Sequence, residues 1–397
     1  MGSMQEMIAQ AERDLLHTYN RYQVVLDRGE GCFLYDTDGK KYLDMMSGIG
    51  VFALRYGNQE FNDALKAQID KVIHTSNYFY NEPAIRAAHR MKEVSGMDRV
   101  FFTNSGAEAI EGALKAAVKY AWLKDGAGDH EIIAMDHSFH GRTYGALAVT
   151  GKESYRAPFG TMPANARFAK INDLASVEAV LSDRTCAIIV ETVQGEGGIY
   201  PAEESFLRAL RKICDERDIL LIFDEVQCGM GRTGYMFAWQ KYGIRPDILT
   251  TAKALGCGIP VGAFLLTEHV AQHSLTAGDH GTTYGGNPLA TAAINAVLDI
   301  YEREQIPARA AETGAYLYDR LEELAADYPE IIDHRGRGLM QGLEFEGTVG
   351  GIIARAMDRG VIFINAGPNV IRFLPPLTIS KDEIDEALRL LRESIRE

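Results

Sequence analysis

Apolar residues fall into two spacings along this chain. Short continuous apolar runs stand at 100–103, 132–135, 187–190, 219–223 and 263–266, and another strand-like stretch precedes Lys253. Such runs lack polar alternation, which marks strands covered on both faces. Between them apolar residues recur at helical spacing, as at Ile110, Ala113, Leu114, Ala117 and Ala121. Strands alternating with helices predict an α/β region, a mostly parallel central sheet flanked by helices, over residues 58–287. Residues 1–57 carry one helix-like segment and a hairpin turning at Asp38-Gly39, and read as an N-terminal arm with a small sheet. A helix from Pro288 to about Glu304 opens residues 288–397, expected as a smaller α+β domain ending in an amphipathic helix from Lys381. Met1-Gly2-Ser3 reads as an added leader before Met4 and is set aside.

Composition narrows the function classes. With 397 residues, 46% of them hydrophobic, the chain can bury the cores of two or three domains and a sizeable site. No stretch reaches the roughly 18 uncharged apolar residues of a membrane helix. A net charge of −14 without a basic tract argues against nucleic acid and anionic membranes as partners. Cys32, Cys186, Cys214, Cys228 and Cys257 are odd in number and form no C-x-x-C pair, so neither a disulfide framework nor a metal site is expected. Together with a start that lacks a signal-like apolar run, this predicts a cytoplasmic protein.

The chemistry concentrates in three segments. Lys253 lies between a strand-like stretch and a glycine-rich loop, where an amine can reach a carbonyl carbon and form a Schiff base. Asp224 closes the run 219–223, at the mouth of a buried strand, where a carboxylate is aimed at a ligand. An amine for an aldehyde and a carboxylate for a pyridinium nitrogen are what pyridoxal 5'-phosphate requires. The third segment is the strand 99–103 running into Asn104-Ser105-Gly106-Ala107-Glu108. There Ser105 and Glu108 fit a capping box, and Gly106 lets an anion approach the helix N-terminus. The competing motif Gly229-Met-Gly231-Arg-Thr-Gly234 matches a dinucleotide fingerprint. Against it, Asp224-Glu225 would set negative charge beside a pyrophosphate, and no long crossover helix follows.

Read in order, Ser105-Gly-Ala-Glu-Ala109, Phe139-His-Gly-Arg-Thr143, Glu191-Thr-Val-Gln-Gly-Glu-Gly-Gly198, Asp224-Glu-Val-Gln227, Lys253 and His280-Gly-Thr-Thr-Tyr-Gly-Gly-Asn-Pro288 resemble the class III pyridoxal-phosphate aminotransferases. The likeness runs from about Tyr19 to the C-terminus and is strongest to the branch acting on acetylornithine. It implies the fold type I of pyridoxal-phosphate-dependent transferases and a homodimer with shared active sites. Lys253 and Asp224 would be catalytic. Ser105, Gly106 and Ala107 would hold the phosphate, with Thr283 supplied by the second subunit. Phe139 would stack on the ring with His140 beside it, and Gln227 would meet the ring hydroxyl. Among substrate residues, Arg142 would bind the donor's α-carboxylate, and Thr282 would add a contact. Glu196 would neutralise Arg372 until 2-oxoglutarate enters and takes that arginine, while Glu191 would act as a supporting residue rather than a reactant.

The implied reaction moves the distal amine of N2-acetyl-L-ornithine to 2-oxoglutarate, a step of arginine biosynthesis. The aromatic loop Tyr78-Phe-Tyr-Asn81 favours that donor, whereas Phe52 and Arg55 depart from the family pattern near its acyl end. Ornithine, succinylornithine and 4-aminobutyrate remain alternative donors, and a noncatalytic binding protein on the same shell is the alternative from another class.

Overall fold

The computed structural model describes residues 2–396. The N-terminal sheet contains β1 (Leu26–Glu30), β2 (Phe33–Asp36) and β3 (Lys41–Asp44). β2 and β3 pair antiparallel around the expected turn, with Phe33 opposite Leu43. The fourth strand of this sheet, Val361–Ile362, arrives from the far end of the chain and runs parallel to β3. The helix Met4–Asp14 ahead of it is capped by Ser3, whose hydroxyl accepts the Glu6 N–H, so the set-aside leader does take part in a helix end.

The central sheet has seven strands: β4 (Arg99–Thr103), β5 (Glu131–Met135), β6 (Asn165–Ala169), β7 (Thr185–Glu191), β8 (Leu220–Asp224), β9 (Ile248–Thr251) and β10 (Gly262–Leu266). Their order is β4-β10-β9-β8-β7-β5-β6. Only β10 runs against its neighbours, so the sheet is mostly parallel as the runs of apolar residues predict. β6 escaped the sequence reading because its pattern, Asn-Ala-Arg-Phe-Ala, has polar positions and exposed sites at the sheet edge. The inner strands are fully buried: Ile188, Ile189, Leu221, Ile222 and Phe223 expose nothing to solvent. Each such side chain contributes about 1.5–3 kcal/mol on burial. Helix Gly106–Asp125 lies across one face at Gly112, where a Cβ would come within 2.1 Å of the Phe264 ring. Glycine in mid-helix costs about 1 kcal/mol. Here it permits the close crossing.

Helices Pro288–Glu304 and Ile306–Asp327 lead to a four-stranded antiparallel sheet holding Ile331–Arg337, Met340–Phe345, Val370–Phe373 and Ile364–Asn365, and the chain closes with helix Lys381–Ile395. Arg372 lies on the third of these strands and points back toward the central sheet through its partner Glu196. The glycine motif at 229–234 is a turn packed on the C-terminal helices. A Cβ on Gly234 would stand 2.9 Å from that of Ala311, so this glycine serves a close backbone approach to the helix.

Candidate active site

Parallel strands bring their carboxyl ends to one edge, and in sheets of this type ligands bind there. β7 and β8 end side by side with Glu191 opposite Asp224, and Asp224 is opposite Thr250 on β9. Lys253 follows β9 by two residues and takes a positive φ of 47°, a left-handed conformation that costs a non-glycine residue about 1 kcal/mol and is found at functional sites. A cavity of about 380 Å³ opens over this edge. Ser105, Gly106, Ala107, Phe139, His140, Arg142, Glu196, Asp224, Gln227 and Lys253 all line it.

The phosphate end is built as an anion cup. The Ser105 hydroxyl accepts the Glu108 N–H, but Glu108 returns its carboxylate to the N–H and side-chain amide of Asn104. The expected capping box is therefore only half formed. The Glu108 carboxylate oxygen that would close the box is engaged by Asn104 instead. The first-turn N–H groups of Gly106 and Ala107 have no helical acceptor. A Cβ on Gly106 would lie 2.8 Å from a Val226 methyl, so only glycine fits this helix start against Val226.

At the other end Asp224 is 4% exposed and accepts hydrogen bonds from His140 Nδ1 (2.7 Å), the Val226 N–H (3.0 Å) and the Thr250 hydroxyl (3.2 Å). His140 Nε2 is buried and has no partner among the described residues, a polar atom left for a ligand. These residues fit pyridoxal phosphate: an anion cup, a buried carboxylate and a lysine between them. Burial lowers the Lys253 ammonium to about 8, well below the usual lysine value, while Glu196 opposes that shift. A near-neutral amine is a competent nucleophile. Burial also raises Glu191 to about 7, with Asp224 adding to the effect and His140 opposing it.

The two arginines expected to meet substrate contrast with each other. Arg142 is exposed, stacks over the Tyr155 ring at 3.9 Å, and has no carboxylate partner among the described residues. Arg372 is 1% exposed and does not line the cavity directly. Its Nη1 donates to Glu196 at 2.7 Å and to the Gln227 side-chain oxygen at 3.2 Å. Burial alone would raise the Glu196 carboxyl, but the adjoining Arg372 guanidinium outweighs it and holds Glu196 below its usual range.

Two expected residues lie outside this chain's own cavity. The Thr282 hydroxyl is engaged with the Asn104 side chain (3.2 Å) and the Gly285 N–H (3.1 Å), and Thr283 is exposed. The family departures also avoid the cavity: Phe52 stacks on Tyr56 at 4.3 Å, and Arg55 donates to the Thr378 carbonyl at 3.2 Å. Val51 lines the cavity instead. Sequence reasoning missed Val51, Asn104 and Val226. The available signal was proximity, since each adjoins a residue or motif already singled out. It also passed over Glu225, raised by burial to about 8 and bound by the N–H groups of Ala238 and Trp239.

Comparison with known proteins agrees with this geometry. The family model for class-III aminotransferases matches residues 16–395. The acetylornithine aminotransferase of Clostridium acetobutylicum is 47% identical over 383 residues, 96% of this chain and 99% of that protein. Among solved structures, the N-acetylornithine aminotransferase of Stenotrophomonas maltophilia superposes with a TM-score of 0.84 at 35% identity, covering 98% of both chains. The ornithine aminotransferase of Toxoplasma gondii superposes with a TM-score of 0.95 at 29% identity, covering 100% of this chain and 96% of the other. On this match and this site, the chain belongs to the class-III aminotransferases, enzymes that depend on pyridoxal phosphate.

Proposed function

We propose that the enzyme transfers the distal amine of N2-acetyl-L-ornithine to 2-oxoglutarate, giving N-acetyl-L-glutamate 5-semialdehyde and L-glutamate. The observation that carries the chemistry is Lys253, an amine lowered to about 8 in the cavity that also contains the Asp224–His140 pair. Bound pyridoxal phosphate supplies an electron sink for the carbon that loses its proton. In this reading Lys253 would hold the cofactor and, once free, would take the proton from that substrate carbon as general base and deliver it to the cofactor's C4′ as general acid. Asp224 keeps a proton on the ring nitrogen by ion pairing, with His140 orienting its carboxylate. Gly106 and Ala107 would hold the phosphate through their N–H groups, with Ser105 beside them.

Arg142 receives the donor's α-carboxylate. Its stacking on Tyr155 fixes the planar fork while leaving the edge open for a bidentate pair. Glu196 neutralises Arg372 during the donor half-reaction and withdraws when 2-oxoglutarate brings its own carboxylate. The neighbours' names, acetylornithine and ornithine aminotransferase, support an ω-amine donor and leave free ornithine as the second reading.

The catalytic unit in this proposal is a cytoplasmic homodimer. Support comes from Tyr78 and Tyr80, each 96% exposed, and from Thr283, which stands outside its own cavity and in a dimer would reach the partner's phosphate. The five unpaired cysteines are consistent with a reducing compartment. A panel of acetylornithine, ornithine, succinylornithine and 4-aminobutyrate tests the donor. Acetylornithine should give the highest kcat/KM with 2-oxoglutarate, and a stronger preference for 4-aminobutyrate would overturn the assignment.

A further inference from the structure

Glu191 is the last residue of β7 and is 5% exposed. Its two carboxylate oxygens go to different segments: Oε1 accepts the Phe139 N–H at 2.9 Å, and Oε2 accepts the Gly195 N–H at 3.0 Å. The first segment carries Arg142 three residues later, and the second carries Glu196 immediately after. These segments also meet elsewhere. The Gln194 side-chain amide donates to the Asp136 carbonyl at 2.9 Å, and Gly197 is so close to His137 that a Cβ would stand 2.7 Å from its carbonyl oxygen. Gly195 is held just as tightly, since a Cβ there would reach 2.1 Å from the Gln227 oxygen.

We propose that Glu191 is a positioning residue that sets the Arg142 segment and the Glu196 segment in register with each other. The grip on both substrates then depends on one carboxylate whose oxygens are spent on backbone donors. A strand end is a suitable anchor because β7 is hydrogen-bonded on both sides, to β8 and β5, and cannot follow either loop. Only a two-acceptor group can span the segments. An amide at this position would turn an NH2 toward one of the two N–H donors and push that segment away. An aspartate would keep both acceptors but draw them back by one methylene, loosening the hold on both segments. The inference rests on the assignment of Arg142 and Arg372 to substrate carboxylates.

The test uses the holoenzyme with Glu191→Gln and Glu191→Asp. Three quantities are measured: saturation of the acetylornithine half-reaction, calorimetric binding of glutarate, an unreactive dicarboxylate, and the cofactor absorbance spectrum. Glu191→Gln should weaken both ligands about tenfold, as expected for losing one charge-assisted hydrogen bond, and Glu191→Asp about threefold. The half-reaction rate at saturation and the spectrum should stay near wild type, which separates positioning from general loss of structure. Should Glu191→Gln fail to fold, Glu191→Asp decides alone. Unchanged binding of both ligands, weakening of only one, or a lower saturated rate with unchanged binding would overturn the proposal. Arg372→Ala is run alongside. If that variant binds glutarate normally, the substrate reading falls and takes this proposal with it. If it binds weakly while the Glu191 variants bind normally, this proposal falls alone.

Discussion

The floor and the rim of the site are built differently. On the floor, Asp224 and His140 are each 4% exposed and bonded to each other at 2.7 Å, and the Asp224 carboxylate also accepts the Val226 N–H and the Thr250 hydroxyl. On the rim, Arg142 is exposed and the Glu196 side chain remains 28% accessible. A buried carboxylate bonded at both oxygens cannot rearrange without leaving polar atoms unpaired, so the floor suits chemistry that is the same for every substrate. A rim made of long, partly solvated side chains can change partners at little cost. That division predicts that floor variants lower the rate at saturation, whereas rim variants change which substrate binds.

The largest effect should come from Lys253→Ala. Losing the proton-transfer group costs 10²–10⁴-fold by itself, and losing the attachment amine adds to that, so turnover should fall by roughly 10⁴-fold or more. Single-turnover absorbance with acetylornithine measures it, and a variant near wild-type rate would erase the distinction between floor and rim. The same lysine gives a pH signature in the apoprotein. A base whose value is lowered to about 8 loses its proton earlier on the alkaline side than an ordinary lysine at 10.5. Cofactor capture should therefore accelerate about fiftyfold between pH 6 and 8, as the neutral fraction rises from about 1% to about 50%. It should then level off, with no continued climb toward pH 10. Stopped-flow absorbance across that range checks the sign and the plateau.

How legible each region was in the sequence follows from the same contrast. The runs that became β4, β5, β7, β8 and β10 are continuous and apolar because both faces are covered, so their pattern is unambiguous. β6 lies at an edge, carries Arg167 paired to Glu131, and loses that pattern. Lys253 and Asp224 were legible because each stands at the end of such a run. The ring environment was only partly so: Val226 looks like any strand-end valine until Gly106 is seen against its methyl groups. The Ser105-Glu108 spacing promised a reciprocal cap, and the N–H that donates to the Glu108 carboxylate turned out to be that of Asn104, one residue earlier. A pairing of that kind depends on which neighbouring donor reaches the carboxylate first, which spacing does not encode. The contact of Arg372 with Glu196 joins positions 176 residues apart. No local pattern carries it, and only the resemblance to a family suggested it.

On the rim, Arg142→Ala should raise the donor's half-saturation by about ten- to a hundredfold, the value of a bidentate charge-assisted pair. The cofactor spectrum should not move, because no floor residue depends on the guanidinium. A shifted spectrum would show that the rim is coupled to the floor, and unaltered donor affinity would remove Arg142 from the pocket.

The smallest and most discriminating change is Glu196→Gln. Arg372 is 1% exposed, and its charge is balanced by Glu196 at 2.7 Å while Gln227 contributes only a neutral oxygen at 3.2 Å. Removing one partner of a buried pair leaves the other charge uncompensated, and that charge then favours any anion able to enter. The two half-reactions should therefore move in opposite directions. Dicarboxylates, 2-oxoglutarate included, should bind about three- to fivefold more tightly, because they no longer displace a resident carboxylate. The donor's distal end should bind about as much more weakly, because the exposed guanidinium repels the amine approaching Lys253 and attracts the wrong carboxylate. Steady-state kinetics with each substrate varied in turn would show the crossing of the two KM values. If both move the same way, Glu196 serves the floor, and the line between chemistry and selectivity has to be drawn on the other side of it.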